Sequence, residues 1–145
     1  MLGSLARKLR MAGIDTIFWR IPPTAEIVEA ARREGRIILT RSVSFCGNPP
    51  AASVYRVQAQ DTLSQYREVI RFFSIALSTD RVLTRCLACN GEIVKVGREE
   101  VRGKVPEYVF HTVQDFSMCP NCNKFFWKGT HFNNIMRFLQ TAHKN

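Results

Sequence analysis

The sequence predicts an α/β fold, in which a small parallel sheet with helices carries an inserted cysteine-rich ribbon and a C-terminal helix. Three observations support this prediction. Helix-like and strand-like segments alternate through residues 1–80, two C-x-x-C pairs follow within residues 81–130, and residues 131–145 return to helical spacing. Strands separated by helices pair in parallel, because each helix carries the chain back to the same edge of the sheet. We therefore expect three segments with these boundaries.

The alternation in residues 1–80 consists of three predicted helices and three predicted strands. Each helix begins near a residue that can cap its free backbone N–H groups, namely Ser4, Thr24 or Asp61. Each strand is a short apolar or β-branched run. The predicted helices span residues 4–11, 25–35 and 62–73, the predicted strands span residues 14–19, 36–40 and 54–57, and residues 46–53 form a predicted loop.

No predicted strand precedes the first helix. In a fold of this type the first helix normally packs over a preceding strand. We therefore expect either that the sequence is a piece of a longer protein or that its sheet is incomplete.

Residues 81–130 predict a small β-rich module, because their apolar residues come as short runs instead of at helical spacing. The runs are EIVKV at residues 92–96, YVFHTV at 108–113 and KFFW at 124–127. Residues 131–143 space their apolar side chains as one helix does. We expect this C-terminal helix to pack back on the first module.

The charge balance indicates a polyanionic partner. Lys and Arg number 21 and Asp and Glu number 12, which gives a formal net charge of +9. These charges are spread along the chain instead of forming a disordered basic tail. A folded basic surface is typical of proteins that bind nucleic acid, although a basic domain without such a partner stays an alternative.

Composition also bears on location. The sequence has no apolar run of 18 residues, so we expect no membrane span and no membrane partner. Its five cysteines come without a secretory signal, which favours a reducing compartment. We expect an intracellular protein of the cytoplasm, with perinuclear granules as one location.

Four cysteines form two C-x-x-C pairs, Cys86 with Cys89 and Cys119 with Cys122. This spacing lets two thiolates bind one tetrahedral ion from a single tight turn, and two such turns complete a site of four cysteine ligands. Soft thiolate ligands select zinc or iron. Two redox dithiols, four ordinary thiols and an iron–sulfur cluster stay open as alternatives.

We favour one structural Zn²⁺ per chain, held in a zinc ribbon. Four protein ligands leave no open position for water or substrate, which catalysis would require. Gly91 and Asn123 lie at or just after the two turns, where a positive φ is often needed.

A search for catalytic carboxylates finds no cluster. A two-metal nuclease needs several acids that converge on Mg²⁺ or Mn²⁺, and in α/β sheets these follow the strand ends. Arg20 follows the first predicted strand, and Arg41 and Ser42 follow the second. Asp61 follows the third but is better placed as a helix cap. We therefore predict no catalytic residue in this chain.

Several segments together resemble one family, the PIN-like RNase domain with an embedded zinc ribbon. This domain is found at the C-terminus of Mut-seven-type 3′–5′ exonucleases and in stand-alone prokaryotic proteins. The resemblance covers nearly the whole chain and is most specific at the W-x-G-[ST]-H motif of Trp127–His131. The segments are MLGSLARKLRMAGIDT, RIILTR, RCLACNGEI, VPEYVF and FSMCPNCNKFFWKGTHFNNI.

The resemblance implies a PIN-like sheet and two metal-binding aspartates that this sequence lacks. One lies in a strand just before Met-Leu-Gly, where this sequence begins with Met1. The other follows Leu-Thr-Arg, where this sequence has Ser42. Both departures lead us to expect a catalytically inactive domain. In Mut-seven-type proteins a separate exonuclease domain trims small RNAs.

Our first hypothesis is an inactive, nuclease-derived domain that binds single-stranded RNA and assists a 3′–5′ exonuclease in trimming small RNAs. Cationic side chains beside an aromatic ring suit backbone charge and base stacking, although ribbon core is an equal interpretation of the aromatic residues. The predicted RNA-binding residues are Arg7, Lys8, Arg10, Lys124, Trp127, Lys128 and His131.

Two alternatives stay open. One is a docking module that recruits the parent exonuclease to a protein partner in a small-RNA complex. The other is an active metal-dependent RNase, for which Asp15 and Asp61 are the candidate carboxylates.

Overall fold

The structure is a computed structural model that describes residues 2–20, 24–46 and 53–144. The chain divides into two compact units, one of Met1–Ala6 with Ile17–Ile75 and the other of Arg7–Thr16 with Ala76–Asn145. In the described residues no helix is long and apolar enough to cross a membrane. The helices are α1 (Gly3–Met11), α2 (Ala25–Arg33), α3 (Val43–Cys46), α4 (Thr62–Phe72), α5 (Glu107–Thr112) and α6 (Thr130–His143), and the strands are β1 (Ile38–Thr40), β2 (Val54–Arg56), β3 (Val94–Val96), β4 (Phe116–Met118) and β5 (Phe125–Trp127).

The first unit contains a two-stranded parallel sheet with helices, whereas residues 7–16, which the predicted 1–80 module included, belong to the second unit. Strands β1 and β2 pair in parallel, with Ile38 opposite Val54. Asp61 caps α4 as predicted, since its carboxylate accepts the backbone N–H of Ser64 at 3.0 Å. Thr24 precedes α2 but makes no side-chain cap. The predicted loop at 46–53 lies largely outside the described residues.

The strand predicted at residues 14–19 is wrong, because this segment has no regular secondary structure. The backbone groups of Thr16 bond to side chains instead of a neighbouring strand. Its N–H donates to Asn90 Oδ1 at 2.8 Å, and its carbonyl accepts from Arg10 Nε at 2.8 Å. Without backbone hydrogen bonds to a neighbouring strand, the apolar and β-branched composition of this segment is not enough to make it a strand.

The second unit contains a three-stranded antiparallel sheet in the order β3-β4-β5. Its apolar core joins the sheet to the segments between β3 and β4. The core consists of Val101, Val109, Phe110 and Phe116, and partly buried residues including Phe125 and Trp127 pack against it. The predicted ribbon is thus a small sheet with its own core.

The prediction of β structure at residues 108–113 is wrong, because these residues lie in α5 and at its end. Pro106 precedes the helix with φ −54°, a value that its ring fixes and that suits a helix start. Adjacent Val109 and Phe110 are both buried, which one face of a helix permits and alternating strand faces do not. The C-terminal helix is confirmed as α6, with Leu139 and Ala142 buried.

The carboxylate of Glu68 holds the turn after β2 in the first unit. It accepts the N–H groups of Gln58 at 2.9 Å and Ala59 at 2.8 Å, and the hydroxyl of Tyr55 at 3.0 Å. Burial raises the pKa of Glu68, but these hydrogen bonds to its ionised form outweigh burial and lower the pKa below its usual value. Ionised Glu68 therefore stabilises the fold above the unfolded-state pKa, and this stability is lost as the pH falls through the folded-state pKa.

We expect Glu68→Gln to lower the unfolding temperature at neutral pH and to flatten its dependence on pH below about 5. A neutral amide keeps the size of the side chain but cannot lose a charge on acidification. Thermal unfolding of both proteins between about pH 3 and pH 7 measures this. Glu26→Gln, which alters an exposed carboxylate in the first turn of α2, is the control. Parallel pH profiles for Glu68→Gln and the unmodified protein would contradict the assignment.

Candidate metal centre and basic groove

The two C-x-x-C segments fold into matching turns. In the first, the N–H of Cys86 donates to the carbonyl of Gly91 at 2.8 Å, and the N–H of Asn90 donates to the carbonyl of Cys86 at 2.9 Å. The corresponding bonds of the second turn are Cys119 N–H to Lys124 O at 2.9 Å and Asn123 N–H to Cys119 O at 2.8 Å. These bonds close each turn around its cysteine pair.

Both turns end in an asparagine with left-handed backbone, Asn90 at φ +70° and Asn123 at φ +57°. The prediction for Asn123 is confirmed, whereas in the first turn the positive φ falls on Asn90 and not on Gly91. Gly91 is needed for a different reason. A Cβ there would lie 3.0 Å from the Cys119 sulfur and 3.4 Å from the Cys89 sulfur, so a side chain would press on the sulfur atoms.

The turns bring the four predicted cysteines together. All four Sγ atoms lie within 4.8 Å of one another. The shortest distances join different turns, with Cys86 Sγ to Cys122 Sγ at 3.6 Å and Cys89 Sγ to Cys119 Sγ at 3.4 Å. A tetrahedron of Zn–S bonds of about 2.3 Å has sulfurs about 3.8 Å apart, whereas a disulfide needs about 2.05 Å. The arrangement fits one shared ion better than two separate dithiols.

The electrostatics of the cluster also favour a bound cation. Burial raises the pKa of Cys122 to about 12, and the neighbouring cysteine sulfurs act in the same direction. At Cys89 burial also acts upwards, but hydrogen bonds from the Gly91 N–H and the Asn121 amide outweigh it and bring the pKa to about 6. Four crowded thiols cannot all ionise unaided, and a divalent cation supplies the missing positive charge.

Three of the predicted RNA-binding residues line one groove of about 320 Å³. Arg7 and Lys8 come from α1 and His131 comes from the first turn of α6. The Lys8 ammonium lies 4.1 Å from the centre of the Phe138 ring, which limits its movement. The other lining residues are Met11, Leu87, Asn134 and Ile135. We call this feature the basic groove.

Lys124, Trp127 and Lys128 are not among the groove-lining residues. Trp127 packs against the core of the second unit, which was the alternative interpretation of this residue. Lys128 lies over the Phe132 ring at 5.4 Å from its centre, and the exposed Lys124 follows the second cysteine turn. The predicted residues are thus divided between the groove and the surface and core of the ribbon.

Arg10 differs from the other predicted cations, since it is only 7% exposed. Its Nη1 donates to the carbonyls of Leu87 at 3.2 Å and Ala88 at 3.1 Å, and its Nε donates to the carbonyl of Thr16. The structure therefore places Arg10 against the first cysteine turn.

Sequence reasoning missed Leu87, Asn134 and the role of Arg10. Asn134 lies three residues after His131 on α6, so helical spacing could have found it. Nothing local in the sequence distinguishes a buried arginine from an exposed one.

The two candidate carboxylates of an active RNase are each committed to another partner. Asp61 caps α4. Asp15 accepts from Asn90 Nδ2 at 2.6 Å and pairs with Arg85 at 3.8 Å. In the part of the chain that the structure describes, the four cysteines are the one group of three or more His, Cys, Asp or Glu side chains placed to share a metal ion.

Comparison with known proteins gives a family. The model of the Mut7-C RNase domain matches residues 1–139. The human exonuclease mut-7 homolog is 31% identical over 108 residues, which cover 70% of this chain and 12% of that protein. This chain thus spans about an eighth of its curated relative's length. No solved structure matches it. Both matches agree with the zinc-ribbon resemblance, and the chain belongs to the Mut7-C RNase domain family.

Proposed function

We propose that this chain is a nuclease-derived domain that binds single-stranded RNA, has no catalysis of its own and assists a 3′–5′ exonuclease in trimming small RNAs. The observation that carries the proposal is the basic groove, where Arg7, Lys8 and His131 converge. The exonuclease assignment comes from the name of the human relative, of which this chain covers a small part.

The groove suits a flexible polyanion better than a duplex. Its two basic side chains, Arg7 and Lys8, can neutralise phosphates and release counterions. Asn134 adds an amide that can bond a 2′-hydroxyl or a base edge. Its volume of about 320 Å³ is at the small end of ligand sites. A splayed single strand can insert one unit at a time into such a groove, whereas a stacked duplex cannot.

The proposal of an inactive domain is supported by the positions of the acids. Two-metal cleavage needs carboxylates that converge on the ions. Asp15 accepts a hydrogen bond from the Asn90 side chain, and Asp61 accepts one from the Ser64 N–H at the start of α4. Ser42 stands where the resemblance implies a metal-binding aspartate, and its neutral hydroxyl does not supply the negative charge of a carboxylate.

The metal of the four-cysteine cluster is proposed to be one structural Zn²⁺. Zinc prefers four thiolates in a tetrahedron and keeps no open position there. It would hold the two turns together and leave contact with RNA to the groove. Native mass spectrometry would show one zinc per chain, and iron or no metal would overturn this assignment.

We expect the double variant Arg7→Glu/Lys8→Glu to lose RNA binding. Each phosphate contact to a single strand contributes about 0.7 to the salt dependence of the binding constant, so two lost contacts reduce that slope by about 1.4. Titration of labelled single-stranded RNA at several salt concentrations measures both effects. Arg33→Glu/Arg71→Glu makes the same change of net charge in the first unit and is the control.

The same titration includes Mn²⁺, with the RNA length checked afterwards. Intact RNA with binding that falls as salt rises supports the proposal. If the groove variant and the control bind RNA equally, the groove is not the RNA-binding site. If the RNA is shortened in a reaction that depends on Mn²⁺, the domain is an active nuclease.

A protein-docking module is the second candidate, and an exposed aromatic cluster in the first unit favours it. Phe72 is 63% exposed although its ring centre lies 4.2 Å from that of Tyr55, in a tilted pair, and 4.9 Å from that of Phe73, edge to face. A protein partner of a small-RNA complex could cover such a cluster. Retention of one defined partner at high salt, lost in Phe72→Ala but kept in Tyr108→Ala, would favour docking over RNA.

A further inference from the structure

Arg10 spans from α1 to the interior of the first cysteine turn. It bonds to the carbonyls of Leu87 and Ala88, the two residues between Cys86 and Cys89. A guanidinium can bond two carbonyls at once in a fixed geometry, which a lysine ammonium does not reproduce. Arg10 therefore fixes the path of the backbone between the two sulfur ligands.

The charge of Arg10 also suits this position. Burial is the larger effect and lowers its pKa, while Cys86 and Cys89 are near enough to raise it. Zn²⁺ with four thiolates carries a net charge of −2, which is costly to bury without a neighbouring cation. Arg10 supplies this positive charge at the carbonyls of Leu87 and Ala88 in the first turn.

A second set of contacts reaches the same turn from residues 15 and 16. The side chain of Asn90 accepts the Thr16 N–H at 2.8 Å and donates to Asp15 Oδ1 at 2.6 Å. Asn90 is only 9% exposed and is the residue with positive φ that closes the turn. Arg10 and Asn90 thus attach the segment Arg10–Thr16 to both the middle and the end of the first turn.

The second cysteine turn has no such attachment among the described residues. Asn123 has the same position and the same left-handed backbone as Asn90, but it is exposed and its side chain makes no hydrogen bond there. The two turns therefore differ in their outer contacts although their backbones match.

We propose that the segment Arg10–Thr16 is the outer shell of the metal centre and that Arg10 is its positioning residue, so that metal binding and the ordering of this segment are one event. Without a metal ion, the first cysteine turn has no metal–sulfur bonds to keep the carbonyls of Leu87 and Ala88 directed towards Arg10. Equally, the turn without Arg10 loses the group that orients its backbone for the metal.

This coupling reaches the basic groove, a consequence that rests on the proposed function. Arg7 and Lys8 lie on α1 within one turn of Arg10, and Leu87 both lines the groove and bonds to Arg10. None of the four cysteines lines the groove, yet a metal held by them would fix the Leu87 wall of the groove relative to α1. RNA binding should therefore depend on whether the four cysteines hold a metal ion.

Competition between the protein and a chromogenic zinc chelator tests the coupling without RNA. Arg10→Met should weaken zinc binding about 10- to 100-fold, the usual effect of removing an outer-shell partner. Arg137→Met removes the same charge from an exposed position on α6 in the same unit and should bind zinc as the unmodified protein does. Arg10→Lys keeps the charge and should fall between them. Equal zinc affinity in Arg10→Met and Arg137→Met overturns the proposal.

A second pair of variants decides the question if Arg10→Met does not fold. Asn90→Gly and Asn123→Gly both keep the left-handed backbone, but only the first removes bonds to Asp15 and Thr16. In the zinc-loaded proteins the Thr16 amide should exchange its hydrogen faster in Asn90→Gly, and zinc should bind more weakly. Equal exchange and equal zinc affinity in the two variants overturn the proposal.

RNA binding by the unmodified protein and by Arg10→Lys, each measured with zinc bound and after chelation, separates this proposal from the proposed function. Weaker zinc binding with no RNA binding even by the unmodified protein supports the coupling and overturns the RNA function. RNA binding that survives in Arg10→Lys after the chelator has removed its zinc overturns the link between the metal and the groove.

Discussion

Cys119→Ser is expected to abolish metal binding and to unfold the second unit. Cys119 is fully buried and its sulfur lies 3.4 Å from that of Cys89. A structural zinc contributes an apparent free energy of about 10–16 kcal/mol, comparable with the whole stability of a small domain. The apolar cluster around the ribbon sheet has four buried residues, and so small a cluster cannot replace this contribution.

Tryptophan fluorescence can assign the loss to one unit. Trp127 packs against the core of the second unit, and the other tryptophan, Trp19, lies in the first. In a Trp19→Phe background, Cys119→Ser should shift the remaining emission to that of exposed tryptophan. Chelation of the unmodified protein should do the same, and added zinc should reverse it. Lys124→Ser, an exposed neighbour in the same turn, is the control, and native emission from Cys119→Ser would contradict a structural metal.

Gly13→Ala is expected to have the second largest effect, a loss of about 3 kcal/mol or more. Gly13 follows α1 with φ +78°, where a side chain is strained. A Cβ there would also clash with the backbone carbonyl oxygen of Arg81, and backbone cannot move aside as a side chain can. The variant must therefore shift α1 or the segment after Arg81.

Gly103→Ala separates the two contributions to this loss. Gly103 has φ +71° in the same unit, but no atom lies within 4 Å of a Cβ placed on it. Its replacement should cost only the left-handed strain, about 1–2 kcal/mol. Urea unfolding of both variants measures the difference, and equal losses would mean that the close approach to Arg81 has no energetic consequence.

The sequence predicted best what depends on neighbouring residues. The C-x-x-C spacing, the Asp61 cap and the parallel pairing of β1 with β2 all follow from short-range pattern. The same holds for α6, whose apolar residues recur at helical spacing.

The failures lie where a distant residue decides the local structure. Residues 14–19 have an apolar, β-branched composition, but the backbone of Thr16 is bonded to Asn90, 74 positions along the chain. Arg10 counts as surface charge in any composition argument, yet it is buried by contacts with residues 87 and 88. Neither contact leaves a periodic trace, so pattern alone could not find it.

The contact between Arg10 and Leu87 has a consequence for synthesis of the chain, because the two residues are 77 positions apart. At roughly 5–20 residues per second, α1 leaves the ribosome about 4–15 s before the carbonyls that bind Arg10 exist. During that time the helix carries a cation without its final partner and apolar residues such as Leu5 and Leu9, which are buried in the finished protein. We therefore expect α1 to be synthesised before the residues that bury its Arg10 side chain and to reach its final packing only after the first cysteine turn has been made.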